Sequence, residues 1–430
     1  MPDSVTRVTH QTFGNRLGLS CKGLLMAPIL IVLSIWLLTW NEGNSITQHK
    51  ALEEGLKTVI DVAIDTVDAA NENQLVHFTG KAATPNNITD EIFGVAPTDG
   101  ALKLKRTVEM YQWTQQQHSQ TKKNTGGSTT TTTTYTYSQV WSDHLISSAG
   151  FEEADGHQNP SEMLFQSATM VADPITVGAF TMSSGVTGKM EWYQPLTSTL
   201  STDDINEDYA KQNAKVINSY LYFSDSPTSP AVGDTRVSFK EIPEQIISVV
   251  AKQTQNTVST YTAKSGGSFL LVEKGTHDAE EMFLHANQAL TAQTWLIRFL
   301  GMIIIWRAFK MVVQPLQVVA DCVPFIGNIL EAANEFVTFF LAFAVSTIVI
   351  AIAWFAYRPL LSSGLLVVVG VVGFFVNQRA KRNQHQGMPY DAKAFEIPTA
   401  EAFEIPTAKA IEIPTVGQFK DDVPPGGDFA

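Results

Sequence analysis

The chain has 430 residues, with 42 acidic against 29 basic side chains, a net charge of −13 and a hydrophobic fraction of 44%. Neutralising phosphates takes a basic surface, so this balance argues against nucleic acid as a partner. Only Cys21 and Cys322 are present, both outside the polar middle of the chain, which excludes a disulfide framework or a cysteine-based zinc site there.

Residues 1–22 carry Arg7, Arg16 and Lys22 and precede eighteen uncharged, mostly apolar residues at 23–40. A bilayer core about 30 Å thick needs about 20 apolar residues at about 1.5 Å each, so 23–40 is expected to be a first transmembrane helix. It is expected to be kept as an anchor, because its apolar run is longer than that of a signal peptide and no small-residue cleavage site follows. Cys21, at the mouth of that helix, is a site where palmitoylation is conceivable and a small filler residue the plainer reading.

Residues 41–294 form an acidic domain: between Asn41 and Leu290 there are 30 Asp and Glu against 16 Lys and Arg. About 250 residues suffice to bury a core. Residues 46–68 mix helical and strand signals. From residue 75 the period is mostly two, with a long strand expected around 102–113 and a return strand over the Thr-rich 131–146. Lys122 to Thr130, with Gly126 and Gly127 inside, reads as the hairpin end between them. Further strands are expected at 174–183, 219–223, 235–239, 246–252 and 269–274. Helices are expected at 202–213 and 277–294, the latter opening Asp278-Ala279-Glu280-Glu281 and leading into the membrane. Asn87-Ile88-Thr89 is a glycosylation sequon, with Asn87 the acceptor if the domain faces a eukaryotic lumen.

Three more apolar stretches follow. Residues 295–313 are expected as helix 2, although Arg298, Arg307 and Lys310 leave a short uncharged run that an interfacial helix would also explain. Residues 314–335, with Pro315, Pro324 and Gly327, read as a cytoplasmic amphipathic or re-entrant loop. Residues 336–356 and 360–376 are expected as helices 3 and 4. Basic residues before the first stretch and Arg379, Lys381 and Arg382 after the last place both ends in the cytoplasm, which needs an even number of crossings. The expected class is thus a four-span α-helical membrane protein with a large, mostly β (α+β) non-cytoplasmic domain.

Residues 377–430 are expected to be a disordered cytoplasmic tail. It repeats one phrase three times at a period of eight, around Glu396-Ile397-Pro398-Thr399, Glu404-Ile405-Pro406-Thr407 and Glu412-Ile413-Pro414-Thr415. Proline in each copy blocks a helix and favours extended backbone. Phe395, Ile397, Phe403, Ile405, Ile411 and Ile413 are candidate anchors for a cytoplasmic partner, against the alternative of an inert repeat expansion.

Glu109-Met110-Tyr111-Gln112-Trp113, Tyr137-Ser138 with Trp141, Gly156-His157-Gln158-Asn159-Pro160, Gly233-Asp234-Thr235-Arg236-Val237-Ser238-Phe239 and Tyr357-Arg358-Pro359-Leu360, in this order, resemble the transmembrane-protein-43 (LUMA) family. The resemblance implies a multi-pass protein of internal membranes. In animals these are the endoplasmic reticulum and inner nuclear membrane; a bacterial relative would occupy the cell inner membrane. It also implies roles in envelope organisation with other membrane proteins and carries no established enzymatic activity; no cofactor or metal is expected.

Trp113, Trp141, Gly156, His157, Asn159, Pro160, Gly233, Asp234, Arg236, Phe239, Tyr357, Arg358 and Pro359 carry the motif and are expected to be structural. His157 beside acidic residues is the best catalytic-looking group, but its Gly and Pro frame is that of a turn. Asp234 and Arg236, two apart on a strand, share a face where an ion pair is conceivable. No protease, hydrolase or P-loop signature occurs. The reading is a non-enzymatic membrane scaffold that contacts lipids and membrane proteins and self-associates. A channel or transporter component, or a lipid-binding protein, is the alternative.

Overall fold

The computed structural model describes residues 4–98, 100–206, 208–357, 367–368, 370–375 and 378–379. The chain divides into Met1–Val371 and Val372–Ala430; the first unit holds the architecture described below.

A strand, β1 (Ser4–Gln11), leads directly into a 46-residue helix, α1 (Phe13–Thr58). The Thr12 hydroxyl accepts the Asn15 amide at 3.3 Å and caps the helix. The segment 46–68, ambiguous by pattern, is helical through Thr58. Phe269 and Phe283 lie against its last turns, so tertiary packing decides the matter. The polar middle then forms β2 (Leu75–Ala83), β3 (Ala101–Lys123), β4 (Thr129–Ser142), β5 (Tyr220–Phe223), β6 (Thr235–Pro243), β7 (Gln245–Thr254) and β8 (Leu271–Lys274), with shorter strands between them. Of the expected helix at 202–213, Asp208–Asn213 is helical.

Two sheets result. One has β1, β4, β3, β6 and β5 as neighbours in that order; the other has β7 between β8 and β2. Their facing sides bury one core around Phe78, Leu102, Phe180, Ile242 and Val249, and a second, around Phe93, Leu104, Leu221 and Phe239, forms between the first sheet and the segments that cover it. Alternation does this work: along β6 the residues Thr235, Val237 and Phe239 are buried and those between them are half-exposed. A mostly β domain of this kind is as expected. β3 and β4 continue past the core as a long hairpin arm, in register from Met110↔Ser142 to Lys123↔Thr129, and β1 adds a third strand along Thr129–Thr136.

After β8 the chain enters α2 (Ala279–Ala320), capped by the Asp278 carboxylate on the Glu281 amide at 2.8 Å, and then α3 (Pro324–Tyr357). The three helices form a bundle whose centre is Leu38, Ile305 and Ala342, with Trp306 and Phe309 beside them. At the crossing of α1 and α2, a Cβ on Gly301 would stand 2.5 Å from the Leu38 side chain, so only glycine allows this approach.

The four-span helical class is not what the chain adopts. Among the described residues, two helices are long and apolar enough to cross a bilayer, Phe13–Thr58 and Glu331–Phe355. The stretch 295–313 belongs to α2, where Arg298, Arg307 and Lys310 break the apolar run. Arg298 is paired with Glu42 and Lys310 with Glu335, so bundle contacts rather than lipid receive these charges. The expected fourth helix, 360–376, falls largely outside the described residues, as does the whole repeated tail.

Two further expectations change. Residues 314–335 are no re-entrant loop: α2 continues through Pro315 to Ala320, and only 321–323 separate it from α3. Residues 1–22 are not a separate segment either: 4–11 pair with the Thr-rich strand of the large domain and α1 already begins at Phe13. No apolar period marks that strand, so its partner was invisible to pattern reading.

Candidate functional site

A buried polar cluster joins the three helices of the bundle. Glu42 on α1 is 1% exposed and receives Arg298 of α2 through two bonds, Nε to Oε1 and Nη2 to Oε2, both 2.7 Å. The Trp354 indole N–H of α3 donates to Glu42 Oε2 as well. The Arg298 guanidinium lies 4.6 Å from the Trp295 ring centre and 5.2 Å from that of Trp354. Nearby, Asn41 Nδ2 donates to the Thr294 carbonyl at 3.3 Å, and the Thr294 hydroxyl to Ser45 at 3.0 Å. An isolated buried carboxylate costs several kcal/mol, about what this bidentate pair and indole offset. A cavity of about 320 Å³ opens beside the cluster, lined by Glu42, His49, Trp295, Arg298 and Trp354 among others. The cluster therefore ties three helices together at one depth and leaves a polar recess there.

Sequence reading missed this cluster. Arg298 reads in the sequence only as a charge that shortens an apolar run, and Glu42 has no partner near it in the sequence. Their distance, 256 residues apart in sequence, gives no local signal.

The motif residues assemble elsewhere, along the root of the arm. Asn159 Nδ2 donates to the Trp113 and Ile146 carbonyls at 2.9 and 3.0 Å, and its Oδ1 accepts the Trp113 amide at 2.7 Å. His157 is buried, stacked on Tyr137 at 3.9 Å and edge-on to Trp113 at 4.7 Å, with Nδ1 3.0 Å from the Glu153 carbonyl. Gly156, at φ +83°, precedes it in the turn, and Pro160 packs beside Gly233. The Gly233 amide donates to the Tyr111 carbonyl at 2.9 Å, and the Asp234 carbonyl accepts the Tyr111 amide at 2.8 Å.

Asp234 and Arg236 do not pair with each other. The Asp234 carboxylate accepts the Ser224 hydroxyl at 2.5 Å and the Ala231 amide at 2.8 Å. Arg236 instead grips Glu109 on β3, at 2.8 and 3.1 Å, and lies 4.5 Å over Trp141. Burial opposes its charge, but the Glu109 bonds prevail and hold the guanidinium pKa above its usual value. Phe239 sits in the second core. Tyr357 ends α3, while Arg358 and Pro359, like the candidate anchors Phe395, Ile397, Phe403, Ile405, Ile411 and Ile413, lie outside the described residues. Asn87 is exposed between β2 and β3.

A second buried pair also went unread. Asp90 is fully buried, accepts the Ile92 and Phe93 amides at 3.0 and 2.9 Å, and takes the Arg106 Nη1 bond at 2.6 Å. Both pairs and the Asn159 clamp are fully bonded, which is the signature of structural polar groups. Among the described residues, no group of three or more His, Cys, Asp or Glu is placed to hold a metal ion.

Trp113, His157, Asn159 and the Gly233–Arg236 turn thus meet in one place. The family described as Transmembrane protein 43 matches residues 110–359. The chain belongs to that family. It is 29% identical to Transmembrane protein 43 of Rattus norvegicus over 381 residues, covering 86% of this chain and 93% of the relative. The Homo sapiens protein is 29% identical over 370 residues, covering 83% and 90%. A Drosophila melanogaster homolog is 28% identical over 351 residues, covering 80% and 91%. No solved structure matches the chain significantly. Family membership and the two apolar helices make this a membrane protein, and the family description names no reaction.

Proposed function

We propose that this member of the Transmembrane protein 43 family is a non-enzymatic scaffold that organises a membrane. The observation that carries the reading is continuity. α1 and α2 run unbroken from an apolar belt into the β domain, where Ala51, Leu52, Met282 and Phe283 pack in one cluster with Leu75 and Val250. A domain held this way keeps a fixed attitude to the membrane, as a platform for partners requires.

The belt itself is lipid-facing: Leu25, Val32 and Trp36 of α1 and Phe336, Val337 and Ile352 of α3 are all at least 60% exposed. The partners of this reading are membrane lipids, other membrane proteins and a cytoplasmic protein that takes the tail repeats. Its membrane is the endoplasmic reticulum and inner nuclear membrane in a eukaryote, or the cell inner membrane in a bacterium. Proximity labelling in native membranes tests it, comparing the full chain with one ending at His385. A defined set of neighbours, part of it lost on truncation, supports the scaffold. A neighbour list no different from that of an unrelated membrane protein contradicts it.

A further inference from the structure

The arm has two free sheet edges. Up to Trp113 the outer edge of β3 is occupied, by β6 through Met110, then by the Gly233–Asp234 turn at Tyr111 and by Asn159 at Trp113. The outward-facing backbone groups thus belong to odd-numbered residues. Beyond Trp113 the next five, on Gln115, Gln117, Ser119, Thr121 and Lys123, have no partner on that side among the described residues. β1 is the opposite edge of the same arm, with no strand beyond it among the described residues. Edges of this length without proline or bulge are templates for pairing.

The arm also lies at the depth of the apolar helices. At its tip, Arg16 Nη1 of α1 donates to the Gly127 carbonyl at 2.5 Å and the Gly126 amide donates to the Cys322 carbonyl at 3.2 Å. Lys123 contacts Asp321 at 3.0 Å and Glu331 at 2.6 Å, the latter its hydrogen-bond partner. Gly127, at φ +78°, is where a Cβ would stand 2.8 Å from Phe13. The root of the arm is in the β domain, at the other end of α1. From Tyr111 to Lys123 extended chain covers about 40 Å, and the helix from Arg16 to Ala51 about 52 Å. Two rods joined at both ends run side by side, so the arm passes the whole of residues 23–40.

Its side chains are mostly Gln, His, Ser, Thr and Lys on both faces, with Val5, Arg7, Val8 and Tyr135 among them. Polar strands with open edges have no place in hydrocarbon; backbone at that depth must belong to helices, to a closed barrel, or to a water-lined interior.

We propose that copies of this chain assemble through the arm, the free edge of β1 in one copy pairing with the free edge of β3 in the next. β1 and β3 are both antiparallel to β4, hence parallel to each other. Rotation about an axis along the arm keeps that direction, so the same contact repeats and closes into a ring. The ring is a collar of polar strands facing water inside, with the helix bundles toward lipid outside. The inference rests on the helix bundle lying at membrane depth, and carbonate extraction of native membranes checks that premise separately.

The test is disulfide trapping in native membranes, with Cys21 and Cys322 replaced by serine. Single cysteines at Val5, Arg7 or Thr9 are combined with one at Gln117, Ser119 or Thr121 and oxidised. Within one copy β1 and β3 are two strand spacings apart, about 9.6 Å, beyond disulfide reach of about 7 Å, so any link joins two copies. At least one combination should give a covalent ladder beyond dimer. Gln117→Pro, which removes an outward N–H and leaves the β3–β4 ladder, should abolish it. The control Thr6→Cys with Thr134→Cys should close within a copy. A closed control with no ladder from any combination overturns the proposal, and so does a control that fails to close, since β1 is then off the arm.

Discussion

At the scale of single residues, Glu42 and Arg298 are expected to matter most. Removing one partner strands the other as a buried charge, at a cost of about 3–5 kcal/mol. Arg298→Met should therefore destabilise the bundle by about that amount in detergent unfolding, while Arg298→Met with Glu42→Leu should recover much of it. Asn159 is the corresponding residue in the β domain. Asn159→Ala leaves two carbonyls and an amide without partners and should cost about 2 kcal/mol in chemical denaturation. Glu244 is held below the usual carboxylate range by its bond to Lys81 and by the Thr84 amide. A lowered folded pKa stabilises above the ordinary carboxylate value and loses that contribution as pH falls through the folded one. Glu244→Gln should flatten the acid side of the stability profile. His277 behaves in the opposite sense. Its bond to Glu281 prevails over burial and raises its pKa from 6.5. Its contribution is complete below about that pH and fades as pH rises through the raised value, so the stability deficit of His277→Gln should shrink on alkalinisation. These residues were poorly legible beforehand. His157 and Asn159 stood out as a turn motif, but Glu42, Asp90 and Arg106 owe their burial to partners far along the chain or to a loop without period.

Among the elements, α1 and α2 depend on close approach at Gly301. Gly301→Val places a methyl-bearing carbon against Leu38 and should cost about 1–3 kcal/mol by overpacking, read as a lower midpoint in detergent thermal unfolding. A helix shift that accommodates valine without loss would contradict the packing described. The strands of the β domain were legible because they bury apolar residues: β6 and the root of β3 alternate as half-buried strands do, and β7 is a short, mostly apolar run buried continuously from Ile247 to Ala251. So was the hairpin, from its Thr-rich return strand and its Gly126-Gly127 end; the continuation of β3 from Trp113 to that end was not, since there both faces are polar and nothing periodic distinguishes strand from loop. The same reason hid β1. Helix ends failed differently. α1 begins ten residues before its apolar run and continues eighteen beyond it, because helical propensity and tertiary contacts, not apolarity, set where a helix stops.

For the molecule as a whole, hydropathy identified membrane character and expected four spans, where two helices among the described residues are long and apolar enough to cross. It reads apolar content along one chain and takes no account of neighbouring helices, which meet charges of α2 at Glu42 and Glu335. The account rests on the β domain and the arm tip standing at opposite ends of the apolar helices. Bulky maleimide labelling in sealed vesicles measures this directly, with single cysteines at Asn87 in the domain and Asn124 at the tip. Labelling of the two positions from opposite sides of the membrane is the predicted result. Labelling of both from the same side would contradict it and lay the helices along the membrane surface instead.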